Sequence, residues 1–143
     1  MSDPAPTLSA AVVELLGARN MVSVATIDPD GKPRQTVTWF RLEPDGRILI
    51  NGRLPRRWCA NLLRDPRVSL SVIDLTNPYT WVGLTGVVDE VVDDVAQARE
   101  HIVELAARYR DGEPDPESIA SFRSQPRLTY YIRPSAVYEH FED

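Results

Sequence analysis

The chain has 143 residues, 43% of them apolar, and a formal net charge of −5. That length fits a single domain, 1–143, around one core, and the negative balance argues against a general nucleic-acid binder. No apolar run reaches membrane-spanning length, no basic-then-apolar leader is present, and residues 1–6 read as a flexible polar tail. The single cysteine, Cys59, excludes an internal disulfide and suits a reducing compartment, so a cytoplasmic protein is expected. With only His101 and His140 beside that cysteine, no structural zinc site is expected.

Apolar positions at Leu8, Ala11, Val12, Leu15 and Leu16 predict a helix over 8–18, with Thr7 as N-cap and Gly17 near its end. Residues 21–27 are rich in β-branched side chains and predict a strand. The turn Asp28-Pro-Asp-Gly31 follows, with glycine at the position that needs positive φ. A strand over 35–42, a turn at 44–46 and the apolar run 48–50 complete an antiparallel meander. In the stretch 53–67, Pro55 suits the first position of a short helix and Pro66 ends it.

Beyond that helix, Val68, Leu70 and Val72 alternate with Ser69 and Ser71, a strand with one packed face. Residues 81–92 predict a long strand in which Gly83 and Gly86 mark bulges or close backbone approach. A second helix from Val95 turns Ala98, Ile102, Leu105, Ala106 and Tyr109 inward, with Asp93 or Asp94 as cap and Gly112 past its end. The stretch 111–125 predicts a loop with one helical turn at most. Residues 128–132 form the last long strand, and 137–141 a short one. The class is α+β, mainly β, with strands in hairpins.

Charge is unevenly spread. Within 53–67 five arginines (53, 56, 57, 64 and 67) face only Asp65, whereas ten of the 21 acids lie between Asp89 and Glu117. The acidic run reads as a solvated face. Arg56 and Arg57 fall in the first turn of the short helix, beside its free N–H groups and the positive end of its dipole. Each is misplaced there by roughly 0.3–1 kcal/mol unless an anion answers it, and a helix N-terminus is a ready phosphate site. The alternative is that both side chains swing into water or pair with a carboxylate. No Ser/His/Asp, paired-carboxylate or metal-ligand grouping stands out, which fits chemistry carried by a cofactor.

Three stretches, 24–33 (VATIDPDGKP), 61–72 (NLLRDPRVSLSV) and 77–87 (NPYTWVGLTGV), resemble the pyridoxamine 5′-phosphate oxidase-like split β-barrel family. Within that family they resemble the actinobacterial group that uses the deazaflavin coenzyme F-420. The resemblance implies a six-stranded antiparallel split barrel with flanking helices, working as a homodimer with cofactor at the interface. It implies that Arg56, Arg57 and Asn61 hold the cofactor phosphate. The ring would lie along Gln35, Thr36, Val37, Thr38, Trp39, Ile50, Asn51 and Gly52, closed by Tyr79 and Trp81 of the second subunit. The implied activity is a deazaflavin-dependent oxidoreductase that passes hydride to a small electron-poor substrate. An FMN-binding oxidoreductase and a non-catalytic cofactor-binding barrel are the alternatives.

One departure from the family pattern falls at the phosphate site. The deazaflavin-binding relatives commonly carry Arg-x-Lys-x-x-Asn, and here the frame reads Arg56-Arg57-Trp58-Cys59-Ala60-Asn61. Trp58 stands in the place of the lysine. Either Arg57 recovers the charge with a bidentate fork, or Trp58 stacks on the ring or fills the site. Trp58 and Trp39 also suit a packed core, Cys59 reads as inert, and His101 reads as solvent-facing. Arg123 and Arg127 are more distant candidates for reaching a ligand.

Overall fold

The computed structural model describes residues 6–110 and 114–141; the expected tail over 1–5 and the expected helix stop at Gly112 lie outside them. The first helix, α1 (Ala10–Gly17), starts two residues later than the spacing predicts, because Ser9 and not Thr7 caps it by accepting from the Val12 N–H. Strands β1 (Val22–Ile27) and β2 (Pro33–Thr38) form the first hairpin. The single strand expected over 35–42 divides, leaving the two-residue β3 (Arg41–Leu42) to pair with β4 (Ile48–Arg53). Then come α2 (Arg57–Arg64), β5 (Arg67–Asp74), β6 (Asn77–Val92), α3 (Val95–Tyr109), α4 (Pro116–Ser124) and β7 (Arg127–His140).

The strands form one antiparallel sheet in the order β2-β1-β5-β6-β7-β4-β3, seven strands and not the six expected. β2 and β3 are neighbours in the chain yet occupy opposite edges, joined only by Trp39 and Phe40. Two residues span that gap only if the sheet curls until its edges nearly meet, so the fold is a half-barrel split along one seam. The crossing is pinned from α3. The Phe40 N–H donates to the Tyr109 hydroxyl (3.2 Å), which donates to the Asn20 carbonyl (2.6 Å), while the Trp39 ring stacks on Tyr109 at 5.4 Å.

Inside the curl, Val22, Val24, Phe40, Ile48, Ile50, Leu70, Val72, Leu84, Tyr130 and Ile132 form one core, closed at the ends by α1 and α2. β4 is buried on both faces: Ile48 and Ile50 enter the main core, while Leu49 packs against Ile102 and Leu105 of α3. This explains its unbroken apolar run, which has no alternation to read. β5 alternates as predicted, with Val68, Leu70 and Val72 inward and Ser69 and Ser71 exposed.

Two expectations about the C-terminal third are corrected. The stretch read as a loop holds α4, with Pro116 in its first turn and the Asp115 carboxylate accepting from the Ser118 N–H. Here proline starts a helix where its absent N–H does no harm. The last strand does not break between 132 and 137. β7 runs through Pro134 because the register with β6 shifts between Thr85 and Gly86, leaving Ser135 to donate from its hydroxyl to the Thr85 carbonyl. Gly86 makes this possible. A Cβ there would strike the Arg133 carbonyl oxygen and come within 3.0 Å of Pro134 Cα.

Gly86→Ala is therefore expected to destabilise the protein by about 1–3 kcal/mol through overpacking against backbone, read as a lower urea midpoint at unchanged slope. An unaltered midpoint would mean that β6 and β7 pair in another register.

Candidate functional site

α2 begins two residues later than the position of Pro55 suggests. Arg56 is the N-cap and Arg57 the first helical residue, and no side chain caps the helix. The N–H groups of the first turn therefore end beside two exposed guanidinium groups, an arrangement that calls for an anion from outside. Pro66, just past the C-cap Asp65, ends the helix as predicted.

Two shallow clefts meet at Arg56, along the seam of the half-barrel. One, about 330 Å³, runs along β2 past Gln35, Thr36, Val37 and Thr38 to Arg56, Arg57 and Trp58. The other, about 220 Å³, shares Val37, Thr38 and Arg56 and is completed by Trp39, Asn51, Ile102, Phe122 and Arg127. Nine of the residues selected from sequence thus come together in one chain.

The other five do not line either cleft. The Ile50 side chain is fully buried in the core. Gly52 lies beneath the α2 side chains, where an added Cβ would meet the Cys59 sulfur and stand 2.7 Å from the Trp58 ring. Asn61 is buried and fully engaged: its amide donates to Thr26 Oγ1 (3.0 Å) and Asp28 Oδ1 (2.9 Å), and its oxygen accepts from Arg64. It docks α2 onto the end of β1 and has no group left for a phosphate. Tyr79 and Trp81 are exposed at the start of β6, where His140 stacks on Trp81 and bonds to the Tyr79 carbonyl.

Trp58 resolves its alternatives in favour of packing. It is 7% exposed and rests against Tyr130 with ring centroids 6.0 Å apart, while still lining the cleft. Cys59 is wholly buried, and burial pushes its thiol up to about 11, so it carries no nucleophile at neutral pH.

The electrostatics of the seam oppose the net charge of the chain. Among the described residues no carboxylate lies within ion-pair distance of Arg53, Arg56, Arg57 or Arg127, whereas Arg123 is paired with Glu100 at 3.0 Å. Asp28 and Asp30 lie on the far side of Arg57, and Asp28 feels its charge. The Asp28 carboxyl is held below the ordinary range first by Arg34, then by Asn61, with Arg57 adding a smaller share. Arg127 is only 4% exposed. Burial, with the nearby charges of Arg56 and Arg53, pushes its guanidinium down to about 10.

Sequence reasoning placed His101 in solvent, and the structure corrects this. His101 is buried, 2.7 Å from Thr129 Oγ1, and edge-on to Tyr131. Thr129 Oγ1 also accepts from the Asn51 amide (2.9 Å), so the hydroxyl joins Asn51 to the His101 ring. A continuous chain, Arg127 to Asn51 to Thr129 to His101, thus ties the cleft to α3. The signal that could have exposed His101 is its spacing: it precedes Ile102 and lies one helical turn before Leu105, on the buried face.

A larger cavity of about 640 Å³ lies between α1 and the β5–β6 turn, but Glu14 and Asp74 line it with Arg19, so it lacks a cationic surplus. No helix among the described residues is long and apolar enough to cross a membrane.

A curled antiparallel sheet, open along a seam lined by arginines, defines a split half-barrel. The chain belongs to the pyridoxamine 5′-phosphate oxidase family, whose pattern matches residues 8–141. Among solved structures it is similar to an F-420 reductase, at 27% identity and a TM-score of 0.76 over 92% of this chain and 98% of the other. A conserved hypothetical protein of Mycobacterium tuberculosis shares the fold at 23% identity, TM-score 0.73, over 97% and 88% of the two chains. So does a haem storage protein of Vibrio cholerae, at 19% identity, TM-score 0.70, over 94% and 96%. No curated protein sequence matches the chain.

Burial holds His101 below its ordinary value of 6.5, with Arg41 assisting and Glu104 and Glu43 opposing. The fold therefore prefers the neutral ring. Its contribution to stability is full above pH 6.5 and is lost as pH falls through the lowered value. A melting temperature that declines between pH 7 and pH 5, with a shallower decline in His101→Gln, is expected. Identical declines in the two proteins would contradict it.

Proposed function

We propose that this protein is an oxidoreductase that binds the deazaflavin coenzyme F-420 along the seam and passes hydride between it and a small electron-poor organic substrate. The observation that carries the reading is the uncapped start of α2, with Arg56 and Arg57 free of ion pairs beside a cleft that runs along β2. These groups fit a phosphate ester: two guanidinium forks, backbone N–H groups and the positive end of a helix converge on one place. Trp58 in the place of the family lysine removes one cation, and Arg57 beside it supplies another. The likeness to an F-420 reductase supports deazaflavin over other phosphate-bearing rings.

Bound there, the coenzyme supplies the hydride chemistry. The protein's part is to anchor the phosphate with Arg56 and Arg57 and to offer the Thr36 and Thr38 hydroxyls to the ring edge. Val37, Trp39 and Trp58 exclude water.

The same reading makes the protein a homodimer. In register across the outer face of the sheet run Val37, Ser23, Ser71, Gly83 and Tyr138, small residues between two exposed apolar ones. Val37 is 64% exposed and Tyr138 57%. An uncharged row of this kind suits a second copy of the chain, whose Tyr79 and Trp81 would then close the ring face.

The test is equilibrium binding of coenzyme F-420 and of FMN, followed by tryptophan fluorescence. Tighter binding of the deazaflavin is expected. Arg56→Gln and Arg57→Gln should each weaken it about tenfold or more, the loss of one charge-assisted contact. Preference for FMN would move the reading to the flavin branch, and binding of neither would leave a barrel without a redox cofactor. Separately, Ser71→Arg should convert a dimer to a monomer in sedimentation. A wild-type monomer would overturn the shared site.

A further inference from the structure

The smaller cleft holds a feature that a cofactor phosphate at Arg57 leaves unexplained. Arg127 is 4% exposed, and its protein partners are all neutral. Gln125 Oε1 accepts from both its Nε and Nη2, Asn51 Oδ1 accepts weakly from Nη1 at 3.4 Å, and the Phe122 ring lies 5.4 Å from its guanidinium carbon. A guanidinium carries five N–H bonds. Three have acceptors, and two remain on a buried cation with no carboxylate in reach among the described residues. Burying an unpaired charge is among the more expensive things a fold can do. Arg56 lines the same cleft and adds to the positive charge. Apart from Thr38 and Asn51, the remaining wall is apolar, with Trp39, Ile102 and Phe122 its larger side chains.

We propose that this cleft binds the carboxylate of an organic acid, with Arg127 and Arg56 taking the anion and Trp39, Ile102 and Phe122 holding a flat apolar body. A monoanion balances the buried cation, whereas a phosphate would bring a second charge against apolar walls, where its desolvation goes unanswered. Arg56 then stands between two anions, the cofactor phosphate on the side of Arg57 and the carboxylate on the side of Arg127. Its place as the substrate end of the site rests on the cofactor reading above. The binding itself needs no cofactor, and so failure of one leaves the other intact.

The experiment uses the cofactor-free full chain and two probes of equal size, 2-naphthoate and its neutral counterpart 2-naphthylmethanol, followed by calorimetry. Naphthoate is expected to bind about tenfold tighter than the alcohol, the value of one charge-assisted contact. Arg127→Gln should abolish that preference. Should that variant fail to fold, Gln125→Glu decides, because it places a carboxylate on the Nε edge of Arg127 and keeps the fork. Gln125→Glu is expected to raise the melting temperature by answering the buried charge, and to remove most of the preference for naphthoate. Equal binding of the two probes to the wild-type protein would overturn the proposal. So would a Gln125→Glu protein that melts no higher and keeps its full preference for naphthoate.

Discussion

The fold depends on a gap that two residues must cross. Trp39 and Phe40 carry the chain from one edge of the sheet to the other, and nothing pairs β2 with β3. Had those strands paired, the sheet would have closed into a barrel filled by its own side chains. The seam stays open because Tyr109 of α3 takes the backbone groups of the crossing, giving the Phe40 N–H an acceptor that is not a strand. Phe40 is thereby driven fully into the core while Trp39 stays half-buried at the surface. The open seam gives the molecule its two clefts and leaves both lined by β2.

Charge then decides what the seam can hold. The acids of this chain cluster on and around α3, where Arg41 and Arg47 meet Glu104, Asp89 and Glu90. At the seam Arg34 pairs with Asp28, but among the described residues Arg56, Arg57 and Arg127 have no such partner. Arg56 and Arg57 are exposed beside the uncapped start of α2, where water solvates them until an anion takes its place. Arg127 is different, since it is buried and the groups that bond to it or stack on it are neutral amides and an aromatic ring. The Asn51–Thr129–His101 chain fixes Asn51 behind it, so that the cation is held in one orientation and not left to swing toward solvent.

Much of the architecture was legible where burial is one-sided. The alternation of Val68, Leu70 and Val72 with serines gave β5, and the inward spacing of Ala98, Ile102 and Leu105 gave α3. Elements whose logic is not periodic were harder. α4 buries no side chain, so no pattern betrays it, and only its Asp115–Pro116 start could have done so. The continuity of β7 depends on a bulge opposite Gly86, a tertiary fact. At the site, β2 and the start of α2 were legible from turn chemistry and from two arginines out of place on a helix dipole. Asn61 matched the family pattern, yet its hydrogen bonds hold α2 in position. Arg127 looked ordinary in sequence, because burial of a charge leaves no trace in one dimension.

The function of the seam is decided by where an anionic ring cofactor lodges. The most direct measurement is a crystal structure of the protein grown with coenzyme F-420. The phosphate is predicted against Arg56, Arg57 and the first turn of α2, with the ring along Thr36 and Thr38 of β2. Density for the coenzyme in the cavity between α1 and the β5–β6 turn, with the α2 N-terminus unliganded, would contradict the central claim.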